Sequence, residues 1–292
     1  MALTLEPLHP GFAAAASGLD LRRPIDQATA AAIEAAMDRH AVLVFRDQPL
    51  DEEQQLALTR WFGPLDIGLK KALRAANRLK HEESIDISNV GLDDQLVARD
   101  SKRLFSQIAN QLWHSDSSFQ QPPAKYSLLT AQVVPPRGGE TEYADMRAAY
   151  DALPDDTKRD IATLSAEHWA LHSRMALGDT DYTEAQKAAI PAVRWPLVRT
   201  HPGSGRKTLF IGVHCREVIG MSLPEGRMLL LDLLEHATQR QFVYRHVWRV
   251  GDLVMWDNRC VLHRGRRFDP TQRRELRRST TEDLLSVQET AA

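Results

Sequence analysis

The chain has 292 residues, of which 43% are hydrophobic and 26% charged, as is ordinary for a globular protein with a large buried core. Its formal net charge of −2 and its pI of about 6.6 argue against a general affinity for nucleic acid or an anionic membrane. Two cysteines cannot form a disulfide framework, and neither a signal peptide nor a membrane span is apparent, so we expect a cytoplasmic protein.

Four stretches have the periodicity and end signals of helices. The first has Asp26 as its N-cap and is followed by the strand-like run VLVF. The second is acidic in its first turn and ends at Gly63, and the third is broken before Pro154. These helices are predicted over residues 25–41, 51–63, 145–164 and 224–240.

Short β-branched and aromatic runs dominate the second half of the chain, and many have glycine or proline turn signals beside them. This pattern favours a β-sandwich or jelly roll decorated by helices over an alternating βαβ sheet. No repeat, linker or glycine-rich phosphate loop is present, so we expect one domain over residues 1–292. The predicted strands are IDISNV, YSLLTAQVVPP, PLVRTH, TLFIGV, FVYRHVWRV, DLVMWDN and RRELRRSTT.

The stretch NQLWHSDSSFQQP, residues 110–122, places His114 and Asp116 two positions apart. A chain with 11 histidines and 23 aspartates contains about one His-x-Asp pair by chance, so the pair alone indicates little. At a strand end both side chains would point to one side, and a second histidine would complete a two-histidine, one-carboxylate iron site. His263 is the candidate because it follows a predicted strand and a turn at Asp257–Asn258, although nine other histidines are available by type alone.

Eight arginines lie between residues 259 and 278, and a solvated basic face or a nucleic-acid patch would be the simplest explanation. RRELRRSTT predicts a strand, however, on which Arg274, Leu276 and Arg278 share one face. Because unpaired buried charge is costly, two inward arginines need anions, which the carboxylates of a cosubstrate and a substrate would supply. Nearby Cys260 is expected to be a small buried residue, not a metal ligand.

Several motifs together resemble the TauD/TfdA-like group of Fe(II)- and 2-oxoglutarate-dependent dioxygenases. They are WHSD, GGET ending at Thr141, WDNRCVLHRG and R-x-x-x-R. The spacings agree, since Thr141 lies 27 residues after His114, and Arg274 and Arg278 lie 11 and 15 residues after His263. Further similar blocks, such as VLVFRDQPL, LGDTDY and HPGSGRK, extend the resemblance from about residue 6 to residue 280.

The resemblance implies a mainly β fold with helical decoration and a double-stranded β-helix core of the jelly-roll, cupin-like kind. It implies that Fe(II) is bound by His114, Asp116 and His263, with no catalytic residue beyond the iron site. The resemblance also implies that 2-oxoglutarate chelates the iron, and that its distal carboxylate pairs with Arg274 and hydrogen-bonds Thr141.

On the substrate side, the resemblance implies that Arg278 meets the carboxylate of the primary substrate. Lys71 would be a second cationic contact, although Lys70 or Lys80 could take its place because the stretch IGLKKALRAANRLKHEE departs from the family pattern. A solvated lysine on a loop is the plain alternative for Lys71. His214 and Asn110 match substrate-side positions, and either could instead be structural.

The implied activity uses O2, with ascorbate as an activator, to hydroxylate an aryloxyalkanoate such as 2,4-dichlorophenoxyacetate beside its ether oxygen, giving a phenol and glyoxylate with succinate and CO2. The same chemistry on taurine, another sulfonate or an aromatic carboxylate is an open alternative, because an arginine accepts either anion. A non-catalytic small-acid-binding module is a second alternative, and nucleic-acid binding a weak third. Members of the family are commonly homo-oligomers, which we expect here.

Overall fold

A computed structural model of the protein describes residues 2–68, 77–99 and 101–285. The strands among them form one seven-stranded sheet and three smaller sheets. In chain order they are β1 (Thr4–Pro7), β2 (Ala14–Ser17), β3 (Val42–Phe45), β4 (Ile85–Ser88), β5 (Ala124–Val133), β6 (Thr141–Asp145), β7 (Ser165–His168), β8 (Val193–Pro196), β9 (Val198–Thr200), β10 (Lys207–Leu209), β11 (Cys215–Val218), β12 (Val243–His246), β13 (Leu253–Asp257), β14 (Val261–Gly265) and β15 (Glu275–Glu282). The α-helices are α1 (Gln27–His40), α2 (Glu52–Arg60), α3 (Lys102–Ala109), α4 (Met146–Asp151), α5 (Asp155–Ile161), α6 (Ala170–Ala176), α7 (Glu184–Ala189) and α8 (Leu223–Ala237).

The large sheet has the strand order β1-β2-β3-β13-β5-β15-β4, with β2 and β3 parallel and the other neighbours antiparallel. A second sheet has the order β12-β6-β14. Tyr143 of β6 and Val261 of β14 pack in one apolar cluster with Val44, Leu129 and Val254 of the large sheet. Two sheets that share an apolar interior form the predicted jelly roll with helical decoration, and this prediction is confirmed.

The run VLVF is apolar throughout because β3 is buried on both faces. Val42 and Val44 face the interior between the sheets, while Leu43 and Phe45 pack with Ile33 of α1 on the outer face of the large sheet. Successive side chains of a strand alternate between faces, so a strand covered on both sides has no polar positions. Helices α1 and α2 thus hold the large sheet from outside, and its inner face is left for the site.

The predicted helix starts are confirmed by their caps. The Asp26 carboxylate accepts from the Thr29 N–H at 2.8 Å, and Asp51 and Gln54 form a reciprocal capping box. Ser222 caps α8 in the same way. The third predicted helix is indeed two pieces, α4 and α5, which flank Pro154.

The helix ends and several strands differ from the predictions. Helix α2 ends at Arg60, short of Gly63, and α8 ends at Ala237, three residues before the predicted end. Helix α3 and strands β6 and β14 were not predicted, and TEYAD and VLHRG each carry two charged or histidine residues. Their pairing partners come from distant parts of the chain, which local periodicity cannot indicate.

Both cysteines, Cys215 and Cys260, are buried free thiols, which agrees with the absence of a disulfide framework. Burial raises the pKa of the Cys260 thiol well above its usual value, so this residue is a small buried group as expected. None of the described helices has both the length and the apolar character that crossing a membrane requires.

Candidate active site

His114 and His263 face each other across a short antiparallel bridge. The backbone N–H of each donates to the carbonyl of the other, at 3.0 Å from His114 and 2.8 Å from His263. Their ring centroids are 4.2 Å apart. His114 therefore lies in an isolated bridge, not at a strand end, and His263 lies within β14, after a turn that begins one residue later than predicted, at Asn258.

Asp116 completes a buried three-residue cluster with these histidines. Its Oδ1 lies 4.0 Å from His114 Nε2 and its Oδ2 lies 3.7 Å from His263 Nε2. The exposed fractions of His114, Asp116 and His263 are only 7%, 4% and 6%. The candidate ligand atoms all lie within 4.8 Å of one another, so the structure brings together the three residues that the sequence placed in one site.

The Asp116 carboxylate is oriented by a closed set of hydrogen bonds. Its Oδ2 accepts from the Ser127 hydroxyl at 2.8 Å, and Asn258 Nδ2 donates to that same hydroxyl at 2.9 Å. Thr280 Oγ1 lies 3.1 Å from Ser127 Oγ and must be the donor, since the single Ser127 hydrogen is directed at Asp116. Asn258 Oδ1 accepts from the Asp116 N–H at 3.1 Å and from Trp256 Nε1 at 3.0 Å.

The protonation states of the cluster suit a metal. Nδ1 of His114 is 2.7 Å from the Leu112 carbonyl, which can only accept, so Nδ1 carries the hydrogen and the lone pair is on Nε2. Burial lowers the pKa of His114, and lowers that of His263 well below its usual value, which favours neutral rings. Burial alone would raise the pKa of Asp116, but Arg278 and the two histidines outweigh it and bring this pKa to about 2.

Arg274 is a buried guanidinium immediately before β15. It is 6% exposed, its NH2 group donates to the Gly139 carbonyl at 3.0 Å, and its Nε has no partner. Among the described residues no carboxylate pairs with Arg274, and burial lowers its pKa to about 10. Thr141 lines the same cleft, and its hydroxyl accepts from Trp248 Nε1 at 3.0 Å. A buried cation of this kind is suited to an anionic ligand.

Arg278 lies four residues further along β15. Its NH1 group donates to Asp116 Oδ1, and its Nε is buried without a hydrogen-bond partner. Leu276, between the two arginines, packs in the inter-sheet core, whereas Arg277 points to the opposite face and binds Gln55. The prediction that Arg274, Leu276 and Arg278 share one face of a strand agrees with this arrangement.

A cleft of about 970 Å³, open to solvent, joins these groups. Asn110 lines it, and the Asn110 carbonyl accepts from the Gly265 N–H at 2.8 Å. His214 is not among the described lining residues; its ring centroid is 6.1 Å from that of His114 and 4.8 Å from that of Phe119. Of the groups that line the cleft, sequence reasoning missed one face of α3, whose apolar positions were a usable helical signal.

The lysine predictions fare differently from one another. Lys71, like Lys70, lies outside the described residues. Lys80 is exposed, and its Nζ is 2.6 Å from Oε1 of Glu53 at the start of α2. Neither residue is among the described residues that line the cleft. Lys80 is therefore a surface residue in an ion pair.

Other groups near the cluster have structural partners. Arg259 binds both oxygens of Asp257, one of which also contacts His201 Nε2 at 2.9 Å. His201, Asp257 and Cys260 form a second buried group of potential metal ligands. Two of them, His201 and Asp257, are already engaged in these contacts. Arg264 pairs with Glu142 at 2.8 Å. Many arginines of residues 259–278 are thus paired within the fold.

A jelly roll has two histidines and one aspartate in a buried cluster, and a buried arginine in the same cleft pairs with no carboxylate of the described residues. This arrangement defines the class of non-haem metal-dependent oxygenases. Residues 4–280 match the model of the family described as "Taurine catabolism dioxygenase TauD, TfdA family". The chain belongs to this family.

Several relatives are similar over nearly the whole chain. The alpha-ketoglutarate-dependent 2,4-dichlorophenoxyacetate dioxygenase of Cupriavidus pinatubonensis is 60% identical, over 97% of this chain and 99% of that protein. The (S)-phenoxypropionate/alpha-ketoglutarate-dioxygenase of Sphingobium herbicidovorans is 38% identical, over 94% and 92%. The crystal structure of AAD-2 in complex with Mn(II) and N-oxalylglycine superposes with a TM-score of 0.92 at 48% identity, covering 97% of this chain and 98% of that one.

Proposed function

We propose that the protein is an Fe(II)- and 2-oxoglutarate-dependent dioxygenase that hydroxylates an aryloxyacetate, such as 2,4-dichlorophenoxyacetate, at the carbon beside the ether oxygen. One atom of O2 enters that carbon and the other enters succinate, formed from 2-oxoglutarate with loss of CO2. The hydroxylated product is a hemiacetal, which collapses to a phenol and glyoxylate. The observation that carries the proposal is the 60% identity, across 97% of the chain, with a 2,4-dichlorophenoxyacetate dioxygenase.

His114, Asp116 and His263 are the proposed iron ligands. The donor set fits, because two neutral imidazoles and one ionised carboxylate meet in a buried cluster. When bound, Fe(II) would supply the oxidising chemistry that couples O2 to the decarboxylation of 2-oxoglutarate, with ascorbate as an activator. Three protein ligands leave positions open for other molecules. No further catalytic residue is proposed.

Arg274 and Thr141 are the proposed partners of the distal carboxylate of 2-oxoglutarate. The support is an unpaired, buried guanidinium beside a buried hydroxyl in the cleft that contains the metal cluster. N-oxalylglycine, which AAD-2 binds together with Mn(II), has the two carboxylates of 2-oxoglutarate and an N–H group in place of a methylene. A carboxylate would give Arg274 the counter-ion that the described residues do not supply.

Arg278 is the proposed partner of the substrate carboxylate, and Lys71 is proposed as a second contact. Arg278 is close to the cluster, since it reaches Asp116, so a carboxylate held there lies near the metal. The role of the protein is then to position the substrate methylene toward the oxidant. Asn110, on the cleft wall, and His214, beside Phe119, are proposed as neighbouring substrate-side residues.

Ser127→Ala should weaken metal binding about 10- to 100-fold, because Ser127 fixes the carboxylate of Asp116 and loss of such a supporting partner has an effect of this size. The measurement is the Mn(II) dissociation constant by equilibrium dialysis. Ser279→Ala is the matched control: Ser279 is also a fully buried hydroxyl, but it bonds Gln55 and Thr59 on the other face of β15. Equal Mn(II) affinities in the two variants would show that Ser127 does not support the ligand.

Two other functions would use parts of the same site. Arg278 would also accept a sulfonate, so taurine, an alkylsulfonate or an aromatic carboxylate could be the substrate of the same chemistry. A non-catalytic module would bind small acids through the same arginines, but nothing would then require the two-histidine, one-carboxylate cluster. The similarity to two aryloxyalkanoate dioxygenases favours the first proposal.

The organisation of the protein is also a proposal. We propose one catalytic domain over residues 1–292, because the family match spans residues 4–280. A cytoplasmic location is proposed on cysteine usage, since both thiols are free. Assembly into a homo-oligomer and a lack of nucleic-acid binding stay predictions.

Release of a phenol from 2,4-dichlorophenoxyacetate by the purified protein tests the proposed function. The assay contains Fe(II), ascorbate, 2-oxoglutarate and air, with each component omitted in turn and taurine as the alternative substrate. We expect phenol and succinate in about equal amounts when Fe(II), 2-oxoglutarate and O2 are all present. Succinate formed only with another acid would keep the reaction and change the substrate, and no succinate with any acid would favour the binding module.

A further inference from the structure

One wall of the cleft is a single face of α3 and the turn that follows it. Leu104, Gln107, Ile108 and Gln111 all line the cleft. Their spacing is that of positions i, i+3, i+4 and i+7, which lie on one side of a helix. Phe105, which falls between them, is not among the described lining residues. The helix thus presents one continuous stripe to the cleft.

The apolar members of this stripe extend from the interior to the mouth of the cleft. Leu104 is 9% exposed, whereas Ile108 is 44% exposed. The stripe is tied to the metal cluster through the hydrogen bond from Gly265 N–H to the Asn110 carbonyl, because Gly265 is two residues after His263 on β14. A ligand held at the cluster therefore has the α3 stripe beside it.

Other groups that line the cleft are suited to other parts of the bound molecules. Arg274 and Arg278 are suited to carboxylates, and the cluster of His114, Asp116 and His263 is suited to a metal. An aryloxyacetate also carries an aromatic ring, which gains free energy from contact with apolar surface. The cleft offers such surface on α3 and also at Leu129, Trp256 and Phe268. 2-Oxoglutarate has two carboxylates and no ring, so it has no aromatic group that would bind to this surface.

We propose that the α3 stripe, through Leu104 and Ile108, binds the aromatic ring of the substrate and determines which aryloxyacetates the enzyme accepts. This inference rests on the proposed function. It assigns ring recognition to a helix, separate from carboxylate recognition by Arg274 and Arg278. Ring size and substitution are then selected by the side-chain volume on α3, while every substrate keeps the same anchor.

The test compares Ile108→Ala with the wild-type enzyme on three acids and on 2-oxoglutarate. We expect kcat/KM for 2,4-dichlorophenoxyacetate to fall about 10-fold, because deleted methylenes in an apolar site have effects of this size. The larger 2-naphthoxyacetate should lose less or gain, since the wall recedes. Ringless methoxyacetate and the KM for 2-oxoglutarate should stay unchanged.

Leu96→Ala is the matched control, because Leu96 is 42% exposed and lies outside the cleft lining among the described residues. It should leave kcat/KM for the three acids and the KM for 2-oxoglutarate unchanged. Leu104→Val, a smaller change at the buried end of the stripe, should shift the same ratio of naphthoxy to phenoxy substrates in the same direction.

A uniform fall of kcat/KM on all three acids, or a raised KM for 2-oxoglutarate, would overturn the inference, since both point to general damage of the site. Unchanged selectivity in Ile108→Ala would also overturn it. Wild-type enzyme that oxidises no aryloxyacetate would contradict the proposed function, and the inference with it. If the wild-type enzyme oxidises aryloxyacetates but substitutions on α3 leave the selectivity unchanged, the inference is wrong and the proposed function is kept.

Discussion

Alanine in place of His114, Asp116 or His263 should lower turnover by more than about 100-fold, because even the loss of a residue that only supports a metal ligand costs about 10- to 100-fold. The three side chains form one cluster whose candidate ligand atoms lie within 4.8 Å of one another. Removal of any one side chain leaves two protein ligands, which are too few to hold the metal ion while other coordination positions stay open. Turnover is measured as succinate formation, and bound Mn(II) is measured separately by equilibrium dialysis.

His172→Ala is the control for this series, because His172 is a half-buried histidine on α6, outside the cluster. It should keep both Mn(II) binding and turnover. Far-ultraviolet circular dichroism checks that each variant is folded. Substantial wild-type turnover in any of the three alanine variants would remove that residue from the proposed ligand set.

The fold could be predicted where the sequence pattern is local. The cap at Asp26 and the strand VLVF are determined by neighbouring residues, and the structure has them where they were expected. Strands β6 and β14 were not predicted, because their polar residues are explained only by their pairing with each other. The overall jelly roll was predicted from the resemblance and from strand density, not from strand pairing.

The site could be predicted only from several motifs taken together, through their resemblance to a known family. His-x-Asp alone is expected about once by chance, and His263 becomes identifiable through the arginines that follow it. The groups that orient Asp116 could not be found in this way. Ser127 lies 11 residues from Asp116 in the chain and Asn258 lies 142 residues away, and serine and asparagine have no distinctive pattern. Their role follows from hydrogen-bond geometry alone.

Substitutions of the two cleft arginines, Arg274 and Arg278, should have different kinetic effects. Arg274→Gln should raise the KM for 2-oxoglutarate about 30-fold or more, because truncating one partner of a buried charge pair costs about 2–5 kcal/mol. Arg278→Gln should instead raise the KM for the aryloxyacetate by a similar factor, and should still form succinate slowly without that substrate. The basis is position: Arg274 is deep, beside Gly139, whereas Arg278 reaches Asp116 in the metal cluster.

Arg277→Gln decides whether these effects come from the anions or from damage to the strand. Arg277 lies between the two arginines in sequence but on the other face of β15, where it binds Gln55 and the Leu50 carbonyl. Its loss should destabilise the protein and change neither KM selectively. Because the three variants carry the same substitution at neighbouring positions, a selective rise in one KM can be assigned to the loss of an anion contact and not to damage of the strand. Reversed effects in Arg274→Gln and Arg278→Gln would mean that the two carboxylates bind the opposite way round.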